Sequence, residues 1–520
     1  MKRIALLAAS AVVLTGSAVV LTGCSLLPWT GGKSATPSAS PTVDAAPVVS
    51  GPPADPFASP VYKQSVSWSN CGTLQCATIQ VPLDWSVPDG ATIGIAINRR
   101  LANDQSHRVG SLLINPGGPG GSGKDLLAHF EPSAGKKLLD SYDLVGFDPR
   151  GVGDSAGINC GDGKALDAYY VKDFIVLEQK DLDQATARND AFAKSCRKKS
   201  GPIMQNADTV SSARDVDVIR AVLGDDHLNY LGFSYGTQLG ATYAEIYPDK
   251  VGRVVLDGAV DISLSSEEQS ITQAKGFENA LKNFIVWCHQ QDACPLTGDV
   301  EQSRQQIADI AVKARDQTYP SGGDTPVDGN LMVYGMVVTL YDQTSWEYLE
   351  LALKEVIERD TARTFYELGN FYLDRNGKTG EYTGNSTEAF TAISCLDSQE
   401  EDWTIAKQRD FARKIEAVAP TFGWWFAGSV GCEGWPYHAD ETVTKIDKAK
   451  TAAPMLVVGT TNDPATPYTW AQSLSKQLGA TLLTFNGEGH TAYGRSNQCI
   501  TDAVDGFLVD GVMPPAGVTC

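Results

Sequence analysis

Along the chain, short apolar runs alternate with stretches whose apolar positions recur every three or four residues. The runs at 93–98, 110–115, 142–147, 228–231, 253–256, 454–459 and 480–485 predict β-strands. Several are unbroken Val/Ile/Leu sequences, as strands buried on both faces require. The periodic stretches between them predict helices, and the alternation predicts a mostly parallel, doubly wound α/β sheet. It is interrupted once. Between Asp261 and Ala453 lie roughly 190 residues, far more than a strand–helix–strand crossover needs. Helical spacing returns inside this gap at 271–289 and 345–372, together with six of the chain's tryptophans. The pattern therefore predicts a mostly helical cap at 263–452, inserted between a first core part at 65–262 and a second at 453–520.

The first 64 residues follow neither pattern. Lys2 and Arg3 precede an apolar run at 4–21, the layout of an export signal. Leu21-Thr22-Gly23-Cys24 resembles the cleavage box of bacterial lipoproteins. That resemblance implies removal of 1–23 and acylation of Cys24, which would anchor the protein to the outer face of the cell membrane. Residues 24–64 are rich in Ser, Pro, Ala and Thr and cannot bury enough apolar area to offset their ordering entropy, so they predict a flexible tether.

Charge and cysteines narrow the setting. The formal charge is −20 with no Lys/Arg-dense run, which excludes nucleic acid as an expected partner. Of eleven cysteines, ten remain after Cys24, an even number suited to five disulfides in an oxidising compartment. Pairing nearest neighbours gives Cys71–Cys76, Cys160–Cys196, Cys288–Cys294, Cys395–Cys432 and Cys499–Cys520. No CxxC or HxxxH spacing occurs, so neither a metal nor another cofactor is expected.

The candidate chemistry begins with G-x-S-x-G, which occurs at 153–157 and at 232–236. A nucleophile elbow is a tight strand-to-helix turn. Ser234 follows the strand-like 228–231 and precedes Leu239, Tyr243 and Ile246 at helical spacing, whereas Ser155 ends a Gly-rich loop with no apolar helix behind it. Ser234 is the nucleophile candidate. A serine hydroxyl needs a base, and among six histidines only His490 follows an apolar run directly, in Gly487-Glu488-Gly489-His490. The imidazole needs a carboxylate. Asp463, after the strand at 454–459, is preferred over Asp257, which closes the strand at 253–256. The order Ser, Asp, His is that of α/β-hydrolases. Oxyanion donors are expected from the N–H of Tyr235 and from the loop Asn115-Pro116-Gly117-Gly118-Pro119-Gly120-Gly121, at Gly118 first and Gly117 next.

That loop resembles the HGGPG loop of prolyl aminopeptidase-type peptidases, with Pro116 in place of the histidine. Asp148-Pro149-Arg150-Gly151-Val152-Gly153-Asp154-Ser155 resembles their D-x-R-G-x-G-x-S loop. From about Ser65 to Cys520 the chain is similar to the secreted tripeptidyl aminopeptidase-like branch of that family, including Cys395-Leu396-Asp397 and Cys432-Glu433-Gly434-Trp435. The resemblance implies an α/β-hydrolase with a helical cap and a serine exopeptidase that removes short peptides from a free N-terminus. It also implies that cap carboxylates, Asp397 and Glu433 here, hold the substrate amine. The same triad serves ester hydrolysis, so a carboxylesterase or lipase acting on a small ester is the alternative. A non-catalytic surface-binding protein is a third reading, against which the complete triad speaks.

Overall fold

The computed structural model describes residues 59–172, 175–323, 325–398, 403–428, 430–446 and 451–520. The expected signal segment and Cys24 lie outside these residues. The strands are β1 (Ser69–Cys71), β2 (Leu74–Pro82), β3 (Thr92–Arg100), β4 (Gly110–Asn115), β5 (Tyr142–Phe147), β6 (Leu228–Phe233), β7 (Val251–Asp257), β8 (Met455–Asn462) and β9 (Thr481–Glu488). They form one sheet in the order β1-β2-β3-β5-β4-β6-β7-β8-β9. The pairs from β5 through β9 are parallel, and β1, β2 and β3 add an antiparallel edge.

Alternation along each central strand feeds two apolar layers. Leu113, Tyr230, Leu256 and Val457 meet Val216, Leu239 and Leu474 from helices on one face. Their neighbours Leu112, Ile114, Leu231, Val255 and Leu456 meet Leu126, Phe130 and Ile500 on the other. Each such Leu, Ile or Val contributes about 1.5–3 kcal/mol by leaving water. Charged residues in these strands keep near the ends, as Asp143, Arg253 and Asp257 do, so the middles read as continuous apolar runs.

β4 lies between β5 and β6, so the chain runs to one side of it and then to the other. This is the switch point at which α/β sheets bind ligands, beyond the carboxyl ends of their strands. Asn115 pairs with Gly232, Phe233 with Asp257, and Asn462 with Glu488. The loops carrying the candidate residues therefore leave one edge of the sheet side by side.

β7 and β8 are hydrogen-bonded neighbours, and the described residues between them are mostly helical, forming the cap. Its helices Ser266–Cys288, Val300–Gln317, Gly329–Leu340, Trp346–Arg359 and Arg363–Tyr372 enclose a separate apolar core around Phe284, Met336, Trp346 and Phe365. Two features differ from the sequence expectation. The helix Gln179–Ser200, in the part assigned to the core, packs Phe192 and Cys196 against Ile393 and Trp435 of the cap region. Ordered structure also reaches into the expected tether, at residues 59–64. The turn Pro60–Lys63 puts Val61 into the sheet's apolar layer, and the Tyr62 hydroxyl donates to Asp217 at 3.0 Å. One valine and one tyrosine anchor a stretch whose average composition suggested none. The structure forms the five nearest-neighbour disulfides.

Candidate active site

Ser234 sits between the end of β6 and the helix Tyr235–Ile246 with φ 56° and ψ −126°, a conformation that non-glycine residues avoid. Its N–H donates to the Asp257 carbonyl at 2.9 Å, and its carbonyl accepts from the Thr237 N–H at 2.8 Å. The flanking glycines are required by crowding: a Cβ on Gly232 would lie 2.5 Å from the Gly236 oxygen, and one on Gly236 would lie 2.8 Å from Asn115 Oδ1. The rival Ser155 is fully buried, and its Oγ accepts the Ala96 N–H at 2.8 Å. Beside it, the buried Arg150 makes a two-pronged pair with Asp215, both contacts at 2.7 Å. The G-x-S-x-G at 153–157 is a structural corner.

His490 follows β9 and is almost fully buried. Its Nδ1 lies 2.9 and 3.0 Å from the two oxygens of Asp463, which follows β8. A carboxylate only accepts, so Nδ1 carries the proton and Nε2 keeps a free lone pair. Asp463 is itself fixed by the N–H groups of Ala465 and Thr466 at 2.9 and 2.8 Å, and by the Thr466 hydroxyl at 3.0 Å. Thr466 escaped the sequence reading, although its place three residues after the acid suits an Asx-type turn. The other candidate acid, Asp257, accepts from the N–H groups of Ala492 and Tyr493, the shortest at 2.7 Å. Burial pushes its carboxyl up to about 6, against the pull of these backbone donors. Asp257 anchors the chain just past His490, and Asp463 holds the ring.

In the loop after β4, Gly117 (φ 90°) passes so near the elbow that a Cβ would lie 2.9 Å from the Tyr235 nitrogen. The Gly117 N–H is spent on Asn115 Oδ1 at 2.9 Å. The N–H groups of Gly118 and Tyr235 donate to no acceptor among the described residues. Ser234, Gly118, Tyr235 and His490 line one cavity of about 1790 Å3 between core and cap. Drug-sized ligand sites span roughly 300–1,000 Å3. This one has room for several residues of peptide.

Comparison with known proteins fits this geometry. The TAP-like protein signature of α/β-hydrolases matches residues 419–520. A serine protease named Hip1 from Mycobacterium tuberculosis is 33% identical over 487 residues, covering 89% of this chain and 92% of the relative. The chain belongs to the TAP-like α/β-hydrolase family. Carboxylesterase B of M. tuberculosis is 35% identical over 505 residues, with 92% and 95% covered. Tripeptidyl aminopeptidase of Streptomyces lividans is 31% identical over 478 residues, with 88% and 87% covered. This TAP-like chain is a serine hydrolase.

The two carboxylates expected for a substrate amine also line the cavity. The Cys395–Cys432 disulfide joins their segments, two residues before Asp397 and one before Glu433. Asp397 is not a free anchor. It accepts from the N–H and hydroxyl of Thr209 at 3.0 and 2.5 Å, at the first turn of the helix Thr209–Val222, and the Thr209 hydroxyl contacts that of Tyr235. The Glu433 carbonyl accepts from Asn189 at 2.9 Å. Burial, the main cause, pushes the Asp397 carboxyl up to about 7 from an ordinary 3.8. The folded state therefore holds a proton that the unfolded chain has lost, so stability falls as pH rises through this window. Asp397→Asn has no such dependence. Its Tm relative to the parent should be higher at pH 8 than at pH 5, by thermal denaturation, and an unchanged difference would mean that Asp397 does not titrate there.

Proposed function

We propose that the chain is a serine exopeptidase that releases short peptides from a free N-terminus through an acyl-enzyme. One observation carries this reading: a serine on a strained elbow and a carboxylate-held imidazole share a peptide-sized cavity with two acidic residues in its wall. Ser234 Oγ attacks the carbonyl carbon of the scissile bond while His490 Nε2 takes its proton. Charge passes to the carbonyl oxygen, where the Gly118 and Tyr235 N–H groups are the free donors. Collapse expels the amine, which takes the proton from Nε2. Water, deprotonated by the same nitrogen, then attacks the acyl ester; the C–O bond to Ser234 breaks, and Oγ takes the proton back from Nε2.

Glu433 in the cavity wall, and Asp397 once it ionises, favour a substrate ammonium group. The aminopeptidase named among the relatives supports this, and the carboxylesterase supports the alternative. The site separates them by demand for a free amine. Removing a buried charge partner costs about 1.5–3 kcal/mol, so kcat/KM for a tripeptide anilide should fall at least tenfold when its N-terminus is acetylated. Equal or faster turnover of the acetylated substrate would discredit the aminopeptidase reading in favour of the esterase.

The proposal extends to location. The Leu21–Cys24 box supports an acyl anchor on the outer face of the cell membrane. Five disulfides suit that oxidising setting.

A further inference from the structure

The loops bearing Asp463 and His490 leave the sheet where its ladder is failing. Pairing of β8 with β9 shifts register between Thr460 and Asn462 and ends at Asn462 opposite Glu488. Beyond that point no strand pairing fixes one loop against the other. The cap does.

Glu488, two residues before His490, accepts from Asn462 Nδ2 at 2.8 Å through Oε1. Its two oxygens also accept from Asn283 Nδ2 at 3.0 and 3.1 Å. Asn462 immediately precedes Asp463, and Asn283 belongs to the cap helix Ser266–Cys288. One carboxylate thus ties the acid loop, the base loop and the cap together. The same helix touches the acid loop again on the same side. Gln273 Nε2 donates to the Ala465 carbonyl at 2.7 Å, and Gly276 approaches until a Cβ would lie 2.5 Å from the Pro464 oxygen. From a second cap element, the Tyr341 carbonyl accepts the His490 N–H at 2.8 Å. The Tyr341 ring meets the imidazole edge-on at 5.3 Å.

We infer that Asn283 and Glu488 are positioning residues for the hydrolytic reaction, a clasp by which the cap sets the Asp463–His490 pair against Ser234. The inference rests on the triad assignment proposed above. Displacing a base by about 1 Å can cost a hundredfold in rate, so a clasp at this place acts on kcat. Burial holds the Glu488 carboxyl above its ordinary range, and the two amides oppose that shift. The clasp is therefore a matched set: a lone carboxylate here would be disfavoured.

The test uses the full chain and an amine-free nitrophenyl ester, so that the amine site plays no part. Active sites are counted by fluorophosphonate titration. Asn283→Ala, at a half-buried helix position where alanine favours the helix, should fold. Asn283→Ala and Glu488→Ala should each lower kcat per labelled site by roughly tenfold or more, with KM within about twofold. The double variant should be no worse than the poorer single one, because both remove one device. Glu488→Gln should regain most of the rate, since the facing amides can turn their carbonyls toward it. Full kcat per labelled site with only a lowered Tm would overturn the inference and leave the clasp a stability feature. A raised KM at unchanged kcat would overturn it in favour of a substrate contact. A parent protein that neither labels nor turns over would overturn the triad assignment itself, and the clasp with it.

Discussion

Asp463→Asn is expected to lower kcat by about four orders of magnitude while leaving the protein folded. An asparagine turns either a weaker acceptor or an N–H toward His490 Nδ1, where the native oxygens lie at 2.9 and 3.0 Å. If the N–H faces the ring, the imidazole must carry its proton on Nε2, the nitrogen that has to receive one from Ser234. Asp257→Asn is the control. Its carboxylate holds the N–H groups of Ala492 and Tyr493 rather than the ring. Asparagine can still accept one of these, so the fall in kcat should stay within about tenfold. Single-turnover rates on the tripeptide anilide compare the two directly. If Asp257→Asn did the greater damage, the acid assignment would have to move to β7.

Ser234→Ala is expected to remove activity almost completely, by roughly a millionfold where serine acts as nucleophile. It should also abolish fluorophosphonate labelling. The Ser234 side chain makes no hydrogen bond among the described residues, and alanine tolerates the same backbone no worse than serine. Stability should therefore change by less than about 0.5 kcal/mol. Unaltered labelling in this variant would mean that another residue is the nucleophile. Folded parent protein that takes no label would favour the surface-binding reading.

The central strands were legible because burial on both faces leaves one consistent signal, as in Leu112-Leu113-Ile114 and Val254-Val255-Leu256. β2 was not: it lies toward the sheet edge, most of its residues are at least partly exposed, and Gln75, Thr78 and Gln80 dilute the apolar pattern. The helix Gln179–Ser200 falls within the stretch 65–262 read as core, and only contact with Trp435 and Ile393 reveals its side. The elbow, the acid and the base were readable because each needs a particular residue type at a strand end. Thr466, Tyr341 and Asn283 were not, since a hydroxyl, a backbone carbonyl and a surface-like amide carry no chemical signature until folding places them. Asp397 shows the opposite limit. Motif resemblance put it at the substrate amine, and nothing in the sequence disclosed Thr209 as its partner.

The pairing of Val254 with Met455 and Asp257 with Val458 joins strands that are nearly the whole cap apart in sequence. During synthesis Ser234 therefore emerges long before the acid and base it depends on, and a chain halted within the cap carries an inert hydroxyl. Separate N-terminal and C-terminal pieces would each be silent until they met across that seam of the sheet.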